Sequence, residues 1–145
     1  MIYENKEKNV YIEANNIEIG NNVKFGKDIT IKVYDTFKIG DNSIIGDRFS
    51  ANGDGPTDSR GMVIGGGSAK FPFSKLKIGS GMVCHTGHIN LAQPVNIGND
   101  VGLSHDVDLI THGFWASVLE GYPRLFEGIN IGNNVIVGWK TIIMS

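Results

Sequence analysis

Apolar residues return along this chain at every sixth position, and five times the count restarts from an Ile-Gly pair followed by two small or polar residues. The restarts are Ile19-Gly20-Asn21-Asn22, Ile39-Gly40-Asp41-Asn42, Ile78-Gly79-Ser80-Gly81, Ile97-Gly98-Asn99-Asp100 and Ile131-Gly132-Asn133-Asn134. Six and twelve residues after each isoleucine stand Phe25 and Ile31, Ile45 and Ala51, Cys84 and Asn90, Leu103 and Leu109, and Val137 and Ile143, most of them apolar. Self-similarity at a fixed short period is the mark of a solenoid, and a six-residue period predicts an all-β parallel β-helix. Three hexads close one triangular coil of about 18 residues, with a short strand on each side and a turn at each corner. Gly, Asn and Asp at the corners reach left-handed backbone conformations more easily than other residues. The residue two before each aliphatic also leans inward; Val23, Ile29, Ser43, Val101, Val107, Val135 and Thr141 suit that slot, and Phe49, Met82 and His88 are its bulky members. About five coils spaced by the usual ~4.8 Å between strands stack into a prism roughly 24 Å tall.

The starts of the five passages lie 20, 39, 19 and 34 residues apart. Against a coil of about 18 residues, these distances leave two long insertions, one within 52–77 and one within 112–128. Each begins after the third hexad of its coil, so both leave the same corner, two coils or about 10 Å apart. Loops on a rigid scaffold commonly carry function. Two loops at this separation either wall a single pocket or pack against a neighbouring subunit.

The length of 145 residues suits one domain with a real core. A formal net charge of −2 gives no sign of a nucleic-acid partner, and the 20 glycines fit the corners of a β-solenoid. No stretch is long and apolar enough for a membrane span, and the charged N-terminus lacks the apolar core of a signal peptide, which makes the cytoplasm the expected location. The single cysteine, Cys84, stands in an inward slot and is expected to be buried and inert. The sequence stops at Ser145 inside the third hexad of the fifth coil, so the expectation is one β-helix domain over 1–145 that lacks its C-terminal coils.

The hexads over 17–145 resemble those of the hexapeptide-repeat acyltransferases. The nearest likeness begins at Ile97, passes through Leu109-Ile110-Thr111-His112 and a loop with aromatics and a proline, and resumes at Ile131-Gly132-Asn133-Asn134-Val135-Ile136-Val137-Gly138. It is similar to the xenobiotic, galactoside and maltose acetyltransferase branch and to related polysaccharide O-acetyltransferases. The resemblance implies a left-handed helix and a homotrimer with sites between subunits. It also implies transfer of an acetyl group from acetyl-CoA to a hydroxyl or amine of a sugar or small-molecule acceptor, with no metal. In that branch the histidine just after the third hexad is the catalytic base, and His112 occupies its place. Gly138 and Trp139 match the coenzyme-lining positions after the loop, although the branch's Trp-Ile-Gly stands here as Ile136-Val137-Gly138.

A neutral imidazole is suited to take a proton from an attacking acceptor near neutral pH. Its second nitrogen needs an orienting partner, for which Asp106, Asp108 and Glu120 are near in sequence. His85 and His88, in the coil beneath, either contact substrate or, for His88, fill an inward slot. His105, at a corner, is expected to be a solvated or interface residue. Asn52, Asp54 and Asp58 either bind sugar hydroxyls or serve the turn Asn52-Gly53-Asp54-Gly55-Pro56. Trp115 and Tyr122 either stack on a sugar, line the coenzyme path, or pack on a neighbour. Two rival readings remain. One is a non-catalytic trimeric scaffold. The other is a metalloenzyme similar to the γ-class carbonic anhydrases; His105 matches one of its three histidine ligands, but Ile110 and Leu91 stand where the other two belong.

Overall fold

A computed structural model of the chain describes residues 1–53, 62–64, 67–69, 73–113, 118–121 and 125–145. The described residues form an all-β structure built mainly of three parallel sheets, with no α-helix and one 3-10 turn, Val118–Glu120. The chain visits the sheets in a fixed order. It passes from a five-stranded sheet on side one (Asn16–Ile19, Thr36–Ile39, Lys75–Ile78, Val95–Ile97, Ile129–Ile131) to a five-stranded sheet on side two (Lys24–Phe25, Ile44–Ile45, Val83–Cys84, Gly102–Leu103, Ile136–Val137). It then enters a seven-stranded sheet on side three (Ile29–Val33, Phe49–Gly53, Gly87–Asn90, Val107–Ile110, Ile142–Met144) and begins again. Five such circuits, hereafter coils one to five, are consistent with a parallel β-helix. An unforeseen hairpin, Ile2–Asn5 antiparallel to Val10–Glu13, extends the seven-stranded sheet beneath coil one. No helix among the described residues is long and apolar enough to cross a membrane.

Equivalent residues stack in register from coil to coil. Ile39, Ile78 and Ile97 form one buried file, and Ile45, Cys84 and Leu103 another. The bulky inward residues are matched by small neighbours. Phe49 lies in register with Gly87, and Met82 packs where the buried Ser43 hydroxyl accepts its N–H at 3.2 Å. Burial leaves the Cys84 thiol 2 % exposed and pushes its pKa up to about 12.

The corners are also stacked. At the first corner the N–H of Asn21 donates to Asp41 Oδ1 (2.7 Å), Asp41 to Ser80 Oγ (3.1 Å), Ser80 to Asn99 Oδ1 (2.9 Å) and Asn99 to Asn133 Oδ1 (2.7 Å). The left-handed residues Asn42, Gly81, Asp100 and Asn134 then each give their N–H to the coil beneath. These polar side chains therefore do more than relieve turns: each caps the backbone of the preceding coil.

Coil three departs from the six-residue count. Its second corner runs Cys84-His85-Thr86-Gly87, whereas the other coils hold one more residue, in the left-handed conformation: Asp28, Arg48, Asp106 and Lys140. The inward residue of the following strand is consequently Ile89, in register with Ala51 and Leu109, and not Asn90 as the six-count expects. Because side chains alternate across a strand, the shift of one turns His88 and Asn90 outward. Gly87 takes the inward slot assigned to His88, at a place where a Cβ would lie 2.6 Å from the Val107 carbonyl oxygen.

Both insertions leave the seven-stranded sheet, one after Phe49–Gly53 and one after Val107–Ile110, with Gly87–Asn90 between them. This is the two-coil separation at one corner that the spacing predicts. The first insertion contains the antiparallel pair Met62–Ile64 and Gly67–Ala69; the second contains His112–Gly113 paired with Leu125–Phe126. Buried Ser74 fastens the return of the first insertion, donating to Gly53 O at 3.1 Å and accepting the Tyr34 N–H at 2.7 Å.

Candidate functional site

The third corner, between the two insertions, assembles a cluster around Asn90. Thr111 is fully buried and Asn90 is 3 % exposed, while His112 lies half-buried above them. His112 Nδ1 is 2.8 Å from Asn90 Oδ1, and its ring stacks on Phe126 at 5.9 Å between centroids. Two further donors reach Asn90: the Ala92 N–H at 3.3 Å from Oδ1, and Thr111 Oγ1 at 3.0 Å from both Oδ1 and the Asn90 carbonyl. Thr111 Oγ1 in turn accepts the Gln93 N–H at 3.0 Å.

This network fixes the tautomer. A peptide N–H can only donate, so the Asn90 atom facing Ala92 is the amide oxygen. That oxygen accepts, so the His112 nitrogen facing it carries a proton. In the neutral ring the lone pair then resides on Nε2, away from Asn90. Burial lowers the His112 pKa from its ordinary 6.5 and favours this neutral form.

None of the carboxylates near His112 in sequence orients it. Asp106 accepts the Thr86 hydroxyl at 3.0 Å, Asp108 lies in register with His88 on the outer face of side three, and Glu120 is exposed in the 3-10 turn. Asn90 takes the role, and the six-count concealed it by placing it among the inward residues. The signal was present in the shortened corner: once the strand is shifted by one, Asn90 faces outward, one strand from the coil that leads to His112.

The expected site residues separate into groups. Asn52 joins the third-corner cluster; it lies in register with Asn90, and its carbonyl accepts the Leu91 N–H at 3.0 Å. His88 lies two residues before Asn90 on the same outer face. His85 sits at the second corner, where its ring stacks on His105 at 4.4 Å; His105 in turn meets the edge of Trp139 at 5.3 Å. Gly138 and the largely exposed Trp139 therefore belong to this second-corner column. Asp54, Asp58, Trp115 and Tyr122 lie outside the described residues. Among the described residues, no group of three or more His, Cys, Asp or Glu side chains is arranged to hold a metal ion.

The chain matches no family model, no curated protein and no solved structure.

Proposed function

We propose that the protein is an acyltransferase of the hexapeptide-repeat kind, a left-handed parallel β-helix that moves an acetyl group from acetyl-CoA to a hydroxyl of a sugar or related small acceptor. The observation that carries this reading is the Asn90–His112 pair: a histidine at the start of the second insertion, with one nitrogen tied down by the strand that lies between the two insertions and its neutral form favoured. In the reaction His112 Nε2 takes the hydroxyl proton as the acceptor oxygen attacks the thioester carbonyl. The new C–O bond forms, the tetrahedral intermediate collapses with cleavage of the C–S bond, and the imidazolium returns its proton to the departing thiolate. No covalent enzyme intermediate is required. A backbone N–H supplies the oxyanion contact.

In this reading the molecule is a cytoplasmic homotrimer with Gly138 and Trp139 on the coenzyme side. The exposed Ile44, Val83 and Ile136, stacked with Gly102 along side two, offer an apolar file for contact between subunits. Calorimetric titration with acetyl-CoA, followed by turnover with a panel of sugars, tests the assignment. His112→Ala is expected to lower turnover by about 10²–10⁴ while coenzyme binding persists. Full activity in that variant removes His112 as the base. Absence of acetyl-CoA binding favours a non-catalytic scaffold.

A further inference from the structure

The residue missing from coil three leaves a notch at the second corner. In the other coils the left-handed residue donates its N–H to the coil beneath: Asp28 to Lys8 O (2.9 Å), Arg48 to Lys27 O (2.8 Å), Asp106 to Thr86 O (2.9 Å) and Lys140 to His105 O (3.0 Å). Coil three has no such residue, and among the described residues no backbone N–H reaches the Asp47 carbonyl. A recess of about 530 Å³ opens there onto the outer face of side three, lined by Arg48, Ser50, Thr86, His88, Asp106 and Asp108. A second recess, of about 300 Å³, continues it around the corner past Asp47 and His85.

The larger recess has unused hydrogen-bonding capacity. Among the described residues, the side chains of Arg48, Ser50, His88 and Asp108 find no hydrogen-bond or ion-pair partner, although a guanidinium, a hydroxyl, an imidazole and a carboxylate converge on one space. No aliphatic or aromatic hydrocarbon side chain lines it. The Arg48 guanidinium stands against two carboxylates, Asp106 and Asp108, an arrangement that disfavours phosphates and carboxylates. A neutral, hydroxyl-rich ligand suits these groups: its hydroxyls donate to Asp108 and accept from Arg48.

The recess also leads to the third corner. His88 and Asn90 share a strand and a face, two residues or about 6.6 Å apart, and Asn90 holds His112. We propose that the notch is a subsite for a second sugar ring, so that the acceptor is an oligosaccharide or glycan chain lying along the strand Gly87–Asn90. One ring stands at His112, and the next is held by Arg48, His88 and Asp108. The proposal rests on the acyl-transfer reading.

The test titrates isotopically labelled protein with maltotriose and N,N′-diacetylchitobiose, and separately with glucose and N-acetylglucosamine. The amide signals of Ser50, Thr86, His88 and Asp108 report on the notch, and those of Asn90 and His112 on the third corner. An oligosaccharide is expected to shift both groups and a monosaccharide only the second. His88→Ala and Asp108→Asn are expected to weaken oligosaccharide binding at least tenfold and to leave acetyl-CoA affinity unchanged. An Asn inserted between Thr86 and Gly87, which fills the notch without removing a side chain, is expected to abolish the notch shifts, with thermal melting as its folding control. Oligosaccharides that shift only the third corner, or no signal, overturn the subsite, as do notch variants that bind as the parent does. Acetyl-CoA calorimetry on the same samples separates the two ideas. Coenzyme binding with a silent notch sinks the subsite alone. Notch binding by a protein that neither binds nor turns over acetyl-CoA sinks the transferase and leaves a glycan-binding site.

Discussion

One amide oxygen organises the chemistry of the third corner. Asn90 Oδ1 is reached by donors from Ala92, Thr111 and His112, so removing it strands a peptide N–H and an imidazole, while the Thr111 hydroxyl keeps the Asn90 carbonyl as acceptor. Asn90→Ala is expected to destabilise the fold by about 1–3 kcal/mol, the usual result of leaving buried donors without an acceptor, measured by denaturant titration. Asn90→Asp is the sharper probe. A carboxylate beside Nδ1 favours the imidazolium, so the acid limb of the pH–rate profile is expected to move upward from its parental position. That position itself lies below 6.5, because burial depresses the His112 pKa. The sign for stability follows: as pH falls through 6.5 the unfolded chain takes up the proton before the folded one, so acidification destabilises the native state. An acid limb that does not move between parent and Asn90→Asp would show that this contact does not tune the base. Cys84 gives a simpler expectation. With its pKa pushed up to about 12 and the side chain enclosed, it should ignore a thiol reagent at pH 8 until the protein unfolds, as followed by absorbance.

At the scale of elements, the corners tolerate changes of length that the sides cannot. The inserted Asn between Thr86 and Gly87 restores the residue count of the neighbouring coils in a turn, and its thermal midpoint is expected to stay within a few degrees of the parent. The same insertion between Ile89 and Asn90 reverses the facing of the residues beyond it and should prevent folding, judged by circular dichroism. Deleting core volume falls between these cases. Leu109→Ala, in a fully buried file, should cost about 2–5 kcal/mol. The contrast explains what was legible in the sequence. Inward aliphatics recur because every coil must present the same volume to the next, so the three-sided stack and both insertions could be read from periodicity. The shortened corner could not, because a turn that loses one residue leaves no mark on composition and only a single slip in the count. That slip hid Asn90, misplaced His88 and left three carboxylates as the apparent partners of His112. The split of His85 and Trp139 from His112 was equally hidden, since sequence proximity does not say which of three corners a residue occupies.

Across the whole molecule, stabilising contacts run mainly between adjacent coils. Such a stack behaves as a chain of nearest-neighbour units and opens from its weaker ends. Both outer coils are less enclosed than the middle: Ile19 and Val23 of coil one and Ile131, Val135 and Ile143 of coil five are only partly buried, whereas Ile97, Val101 and Leu109 of coil four are buried. Hydrogen exchange is therefore expected to be slower around coils two to four than in coils one and five, and uniform protection would show a globally cooperative unit. The same vertical order makes the prism a ruler. Its graduations are the coils, about 4.8 Å apart, and any side chain at a corner is displaced from its counterparts by whole numbers of these marks. The notch stands on the third mark and the coil that leads into His112 on the fourth. Adding or removing a coil between two such features would change the length of molecule they can span together by one graduation, leaving the groups at either end chemically as they were.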